Sequence, residues 1–241
     1  MRRLGRRPKL GVVLLKRLAA ERNAINASVD KRAEADRRYS NARQADWFKP
    51  IIRKLKRLAK PGQRCMYCSG SEAADLEHFR PRSVYPGVAL TWKNFLWSCT
   101  PCNRAKLDHF PPHTEPGGQY VNPVEEDVWD FFFIDKYGLL TPRFDPILGV
   151  LNPRAVSTRD LIDLNRDAVR ETRGSRVKDL KRRVRDSIRL FDLGALTRAQ
   201  ALVRVATWRA QPFQPDVADY FLVGPGKIER PFKGFFDRLN V

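Results

Sequence analysis

From Trp47 onward the chain first shows apolar residues at helical intervals. Trp47, Phe48, Ile51, Ile52, Leu55 and Leu58 share one face, while Arg53, Lys54, Lys56, Arg57 and Lys60 fill the other. This period predicts an amphipathic helix with a basic outer face, ended by Pro61-Gly62. The 46 residues before it have few large apolar groups after Leu15 and a polar stretch from Asn23 to Ala45, the pattern of an arm or partly helical extension. Past residue 110 come Pro111-Pro112 and Gly117-Gly118, then an acidic segment from Val124 to Asp135. Trp129 to Ile134 is an aromatic run that predicts a buried strand, with Lys136-Tyr137-Gly138 as the turn of a hairpin. Helical spacing then returns. Leu161, Leu164 and Val169 predict a helix capped by Thr158; Val177, Leu180, Val184, Ile188 and Phe191 predict a second; Leu202, Val205 and Trp208 predict a third capped by Thr197.

Three parts are expected in an α+β protein: residues 1–60 as a basic N-terminal arm and helix, 61–112 as a compact core, and 113–241 as a hairpin plus a helical C-terminal extension. With 241 residues, 42% hydrophobic, the chain can build a real core. The formal charge of +19 is uneven, since residues 1–64 hold 20 Lys and Arg against 5 Asp and Glu. Arginine outnumbers lysine 32 to 14, which favours bidentate recognition of phosphate or carboxylate. A polyanionic partner is the natural inference, solvated helix faces being the plain alternative. No stretch approaches the ~18 apolar residues of a membrane span, and the run Leu10 to Leu15 is shorter than a signal-peptide core. A cytoplasmic location is therefore expected, where cysteines stay reduced and metal binding becomes their leading explanation.

All four cysteines fall in two pairs of one spacing, Cys65-Met-Tyr-Cys68 and Cys99-Thr-Pro-Cys102. Two such knuckles can place four thiolates around one structural Zn²⁺ with no coordination position left for chemistry. Chemistry is suggested by what lies between and after them: Leu76-Glu-His-Phe-Arg-Pro-Arg-Ser83, Trp92-Lys-Asn-Phe-Leu-Trp97, and Asn103-Arg-Ala-Lys106 behind the last cysteine. A neutral imidazole at His78 can take a proton from water near neutral pH, and Glu77 and Asn103 offer hard oxygen ligands suited to Mg²⁺ or Mn²⁺. His109 and His113 are expected to be surface or loop residues.

The order Cys-x-x-Cys, Glu-His-x-x-Pro, Trp-x-Asn-x-Leu, Cys-x-x-Cys-Asn-x-x-Lys resembles the zinc-stapled HNH, or ββα-metal, nucleases over about 46 residues. The resemblance implies a metal-dependent endonuclease in which His78 is the first His, Asn94 the middle Asn and Asn103 the occupant of the final His position. Glu77 matches the acidic residue before the catalytic histidine, where the family commonly has Asp or His. It further implies that Asn94 braces the loop orienting His78, that Lys106 or Arg104 holds phosphate, and that Arg80 and Arg82 contact nucleic acid, while the uneven charge points to the helix residues Lys54, Lys56 and Arg57 as a further contact. Outside this core the chain resembles the nuclease subunits of Septu-type anti-phage systems. The supporting stretches are Arg7-Pro-Lys-Leu10, Pro123 to Gly138, Leu151-Asn-Pro153, Ser157-Thr-Arg-Asp-Leu161 and Leu164-Asn-Arg166. That resemblance implies an ATPase subunit of the ABC/SMC-like type as partner, and the basic helices beside the core favour DNA as the substrate. RNA such as tRNA cleaved by the same site, or a non-catalytic zinc module that binds nucleic acid or scaffolds a complex, stand as alternatives.

Overall fold

A computed structural model describes residues 1–71, 73–112, 118–211 and 215–240. Helices α1 (Val12–Ala27), α2 (Lys31–Gln44) and α3 (Lys49–Leu58) open the chain. The segment expected as an arm is a packed helical hairpin, with Leu18, Ile25, Ala35 and Ala42 buried between its helices and the body. Two of those four are alanines, which is why no apolar stripe stands out in the sequence. Asp30 caps α2 by accepting the Ala33 N–H at 2.9 Å, and Arg38 reaches Glu21 of α1 at 2.7 Å. Phe48, Ile51 and Leu55 bury the apolar face of α3, and Phe48 meets Phe95 edge to face at 5.7 Å.

Strands β1 (Asp75–His78) and β2 (Phe95–Ser98) pair antiparallel with Asp75 opposite Ser98 and His78 opposite Phe95. Helix α4 (Thr100–Lys106) follows β2 at once, so the residues from 65 to 106 form a β-β-α unit. Next comes the hairpin of β3 (Phe132–Ile134) and β4 (Leu140–Pro142), then the short pair β5 (Phe144–Asp145) and β6 (Val150–Leu151). Its turn at Gly138 needs glycine: φ is +85°, and a Cβ there would lie 2.2 Å from the Gly174 nitrogen.

Among the described residues, five α-helices follow: α5 (Pro153–Leu161), α6 (Asp167–Asp192), α7 (Arg198–Ala210), α8 (Pro215–Leu222) and α9 (Phe232–Leu239). Thr197 caps α7 within a reciprocal capping box with Gln200, as its position predicts. Thr158 does not cap a helix. It sits inside α5, donates to the Arg154 carbonyl at 2.7 Å and accepts the Val121 N–H at 2.8 Å, while Asn152 caps α5 through the Ala155 N–H. Pro153 explains the earlier start, since proline is at home in a first turn; the expected helix is also broken, with α5 ending at Leu161, Leu164 in the connecting turn and Val169 in α6. Arg173 of α6 is fully buried and bonds Asp216 of α8 at 2.9 Å and the Gly138 carbonyl at 2.8 Å, tying the helices to the hairpin turn. No helix among the described residues is long and apolar enough to cross a membrane.

Candidate metal centre and active-site cleft

Cys65 and Cys68 lie on a turn before β1, closed by the Ser69 N–H donating to the Cys65 carbonyl at 2.9 Å with Ser69 at φ +57°. The Met66 N–H donates to the Trp97 carbonyl at 2.9 Å and fixes this turn to β2. Cys99 precedes α4 and Cys102 lies in its first turn, so the second knuckle is a helix start. All four Sγ atoms lie within 4.8 Å of one another, and Cys68 Sγ to Cys99 Sγ is 3.8 Å. A tetrahedral zinc with bonds of about 2.3 Å separates its sulfurs by about 3.8 Å, so the buried donor set fits Zn²⁺. Arg166, from the residue before α6, donates to Cys102 Sγ at 3.3 Å and Cys68 Sγ at 3.4 Å. The Cys68 thiol is drawn well below its ordinary range by hydrogen bonds from the neighbouring thiols, with the guanidinium adding to the effect.

His78 ends β1, and Pro81, three residues on, begins the turn that carries the chain away from the sheet. Its Nε2 lies 2.9 Å from the Ala89 carbonyl. A carbonyl only accepts, so Nε2 carries the hydrogen and the neutral ring keeps its lone pair at Nδ1. The ring is clamped edge to face between Tyr39 of α2 at 4.7 Å and Phe95 of β2 at 5.5 Å. Burial, aided by the Arg82 charge, pushes the imidazole down to about 3, so it is neutral at pH 7. The loop that delivers Ala89 is held by Asn94, whose Oδ1 accepts the Arg80 N–H at 2.8 Å and whose Nδ2 donates to the Arg80 and Val88 carbonyls at 3.0 and 3.2 Å.

Glu77 is 5% exposed and pairs through Oε1 with Lys106 Nζ at 2.7 Å. The sequence suggests Lys106 as a phosphate holder, but the ammonium is turned inward, completely buried, and also donates to the His78 carbonyl at 2.9 Å. Lys106 ends α4 with its side chain turned to β1 rather than to solvent, and a buried ammonium needs such partners. Burial raises Glu77 against the opposing pull of Lys106. Glu77, His78, Arg82 and Asn103 line one open cleft of about 310 Å³.

Helix α2 supplies another wall, with Arg32 and Asp36 on the cleft. The Arg82 Nε donates to Asp36 at 2.5 Å and its guanidinium lies 4.7 Å from the Tyr39 ring centre. These α2 residues sit in the polar stretch of the sequence, where nothing in spacing or composition singles them out. Arg80 and Asn94 line a neighbouring cavity of about 460 Å³ instead. Arg104 is exposed on α4. Lys54, Lys56 and Arg57 lie on the outer face of α3, Lys56 over Trp97 at 5.2 Å, and none of the three lines the cleft. His109 is exposed, and His113 lies outside the described residues.

No protein-family profile matches the chain. The chain is similar to the Septu protein PtuB of Bacillus thuringiensis, 30% identical over 92 residues, covering 36% of this chain and 35% of that protein. It is also similar to the Septu protein PtuB of Bacillus mycoides, 29% identical over 107 residues, covering 32% of this chain and 36% of the relative. The chain thus spans about a third of the length of the curated relatives it matches.

Proposed function

We propose that the chain is a metal-dependent HNH endonuclease that hydrolyses phosphodiester bonds of DNA, the effector of a Septu-type anti-phage assembly, acting beside an ATPase subunit of the same operon. One observation carries the reading. A neutral imidazole, held by the Ala89 carbonyl with its lone pair at Nδ1, shares an open cleft with Glu77, Asn103 and Arg82. The similarity to the two PtuB proteins supports the defence setting.

In this mechanism Nδ1 of His78 takes a proton from water as its oxygen bonds to phosphorus, and the bond from phosphorus to the leaving oxygen breaks, that oxygen taking a proton from solvent. Glu77 and Asn103 would hold Mg²⁺ or Mn²⁺, which when bound supplies neutralising charge for the phosphate. Lys106 holds the Glu77 carboxylate in place and, through the His78 carbonyl, fixes the strand that carries both side chains. Arg82 can receive phosphate once that anion replaces Asp36, with Arg104 exposed nearby on α4. The four cysteines take one structural Zn²⁺, and the outer face of α3 grips the nucleic-acid backbone.

The deciding test incubates the protein with plasmid and with total RNA, in Mg²⁺, Mn²⁺ or EDTA, with and without the neighbouring ATPase. The expected result is plasmid cleavage that EDTA and His78→Ala both abolish. Degradation of RNA alone would move the substrate to RNA, and binding without cleavage under every condition would leave a non-catalytic zinc module.

A further inference from the structure

Arg166 ends the loop between α5 and α6, and its guanidinium reaches back to the cysteine corner. Its Nη1 donates to Cys102 Sγ at 3.3 Å and to the Asp163 carbonyl at 3.1 Å. Its Nη2 donates to Cys68 Sγ at 3.4 Å and lies 3.7 Å from Cys99 Sγ. Three sulfurs from both knuckles therefore face one fork, across separations of 64, 98 and 67 residues. Among the described residues Arg166 makes no ion pair with any carboxylate, although the chain is rich in Arg–Asp and Arg–Glu pairs elsewhere. The cysteine corner is its counter-charge.

We propose that Arg166 is the positioning residue through which the zinc staple holds the C-terminal extension, so that metal occupancy of the four cysteines and docking of the start of α6 are one linked equilibrium. The inference rests on the zinc reading above. With zinc bound, four thiolates and one Zn²⁺ carry a net negative charge of roughly two units, and thiolate sulfur is a charge-assisted acceptor for a guanidinium. Without metal most of that charge is lost, since four neighbouring thiols do not all ionise together, and a protonated sulfur is a weak acceptor for a half-buried cation. Linkage then runs both ways: zinc tightens the docking of residues 162–176, and the docked Arg166 slows the loss of zinc. Outer partners of this kind typically change metal affinity by about 10–100-fold.

Two variants of the full chain separate charge from geometry. Arg166→Gln keeps donors and removes the charge; Arg166→Lys keeps the charge and removes the fork. After metal content is measured, zinc release to a chromogenic chelator is followed, and the sulfur-to-cobalt charge-transfer band is recorded in Co²⁺-substituted protein. Backbone amide exchange over 162–176 is compared with that of α9 in zinc-loaded wild-type and variant proteins. Release at least about tenfold faster in Arg166→Gln and intermediate in Arg166→Lys is expected, together with a shifted band and exchange that quickens over 162–176 and not in α9. Wild-type release rates and an unmoved band in both variants would overturn the proposal, as would wild-type exchange over 162–176 in both. Should Arg166→Gln fail to fold, Arg166→Lys still decides. Folded wild-type protein lacking zinc would overturn the staple as well, whereas zinc that is present but indifferent to residue 166 overturns this inference alone.

Discussion

The cysteine corner and the His78 cleft lie at opposite ends of one two-stranded sheet, and they are built on different principles. At the corner, four identical donors come from two short turns, stay buried, and accept hydrogen bonds from the Arg166 guanidinium. The cleft instead gathers unlike groups from α2, β1, the loop after β1 and α4, and stays open to solvent. Its imidazole owes its properties to its neighbours: Tyr39 and Phe95 packed edge to face with it and the Ala89 carbonyl on Nε2. A metal-type site is specified by residue type and spacing, whereas a base of this kind is specified by packing.

The largest expected effect falls on the corner. Cys68→Ser or Cys99→Ser should yield unfolded or insoluble protein, because zinc contributes on the order of 10–16 kcal/mol of apparent free energy in small zinc modules. Elemental analysis finding no zinc in soluble, folded wild type would remove the contrast. At the cleft, His78→Ala should lower cleavage by the ~10²–10⁴-fold typical of a general base while zinc content and circular dichroism stay unchanged. Unchanged cleavage by that variant would place the chemistry elsewhere.

A smaller effect sharpens the comparison through pH. His78 is pushed from its ordinary 6.5 to about 3 in the folded protein. Above pH 6.5 neither state binds the extra proton and the residue contributes nothing to the pH dependence. Below it the unfolded chain binds a proton that the folded chain refuses, so stability falls by up to about 1.4 kcal/mol per pH unit on the way down to the folded value. His78→Asn lacks this loss. Urea unfolding at pH 7.5, 6.5 and 5.5 should therefore show the stability difference between wild type and variant shifting toward the variant as pH falls. The cysteine corner, common to both proteins, cancels in that difference. A constant difference would mean that the imidazole is not held neutral in the folded protein.

The same contrast governs what could be read from the sequence. The two cysteine pairs and the Glu-His-x-x-Pro stretch announce themselves because ligand chemistry demands particular residues at particular intervals. Helices α3, α6 and α7 are legible from large apolar side chains at helical spacing, and the Gly138 turn from its residue type. Tyr39 and Asp36 are not, since their helix hides its inner face behind alanines and their partners lie in other elements. Lys106 reads from the sequence as a phosphate holder, and Arg166 as one more cation of a basic chain. Their partners, a buried carboxylate and a set of sulfurs, exist only once β1, α4 and the start of α6 have come together.

The smallest effect concerns the basic face that lies outside both sites. Lys56 and Arg57 are exposed on α3 and Lys54 is half-buried, and none of the three pairs with a carboxylate among the described residues. Unpaired cations on one face suit a polyanion, since each phosphate they neutralise releases a counterion. Replacing all three with alanine should weaken DNA binding similarly for all sequences and reduce the log–log salt slope by up to about 2.7, at about 0.9 per lost contact on B-DNA. His78→Ala should leave that slope unchanged, because a base facing water releases no counterion. The competing assignment is an acidic surface on the ATPase subunit, in which case the triple variant loses the complex before it loses DNA. Affinities for both partners measured across salt concentrations distinguish the two. Wild-type DNA affinity and slope in the triple variant would make α3 a protein-docking face and leave the grip on substrate to the rim of the cleft, where Arg82 and Arg32 face the same opening as the base.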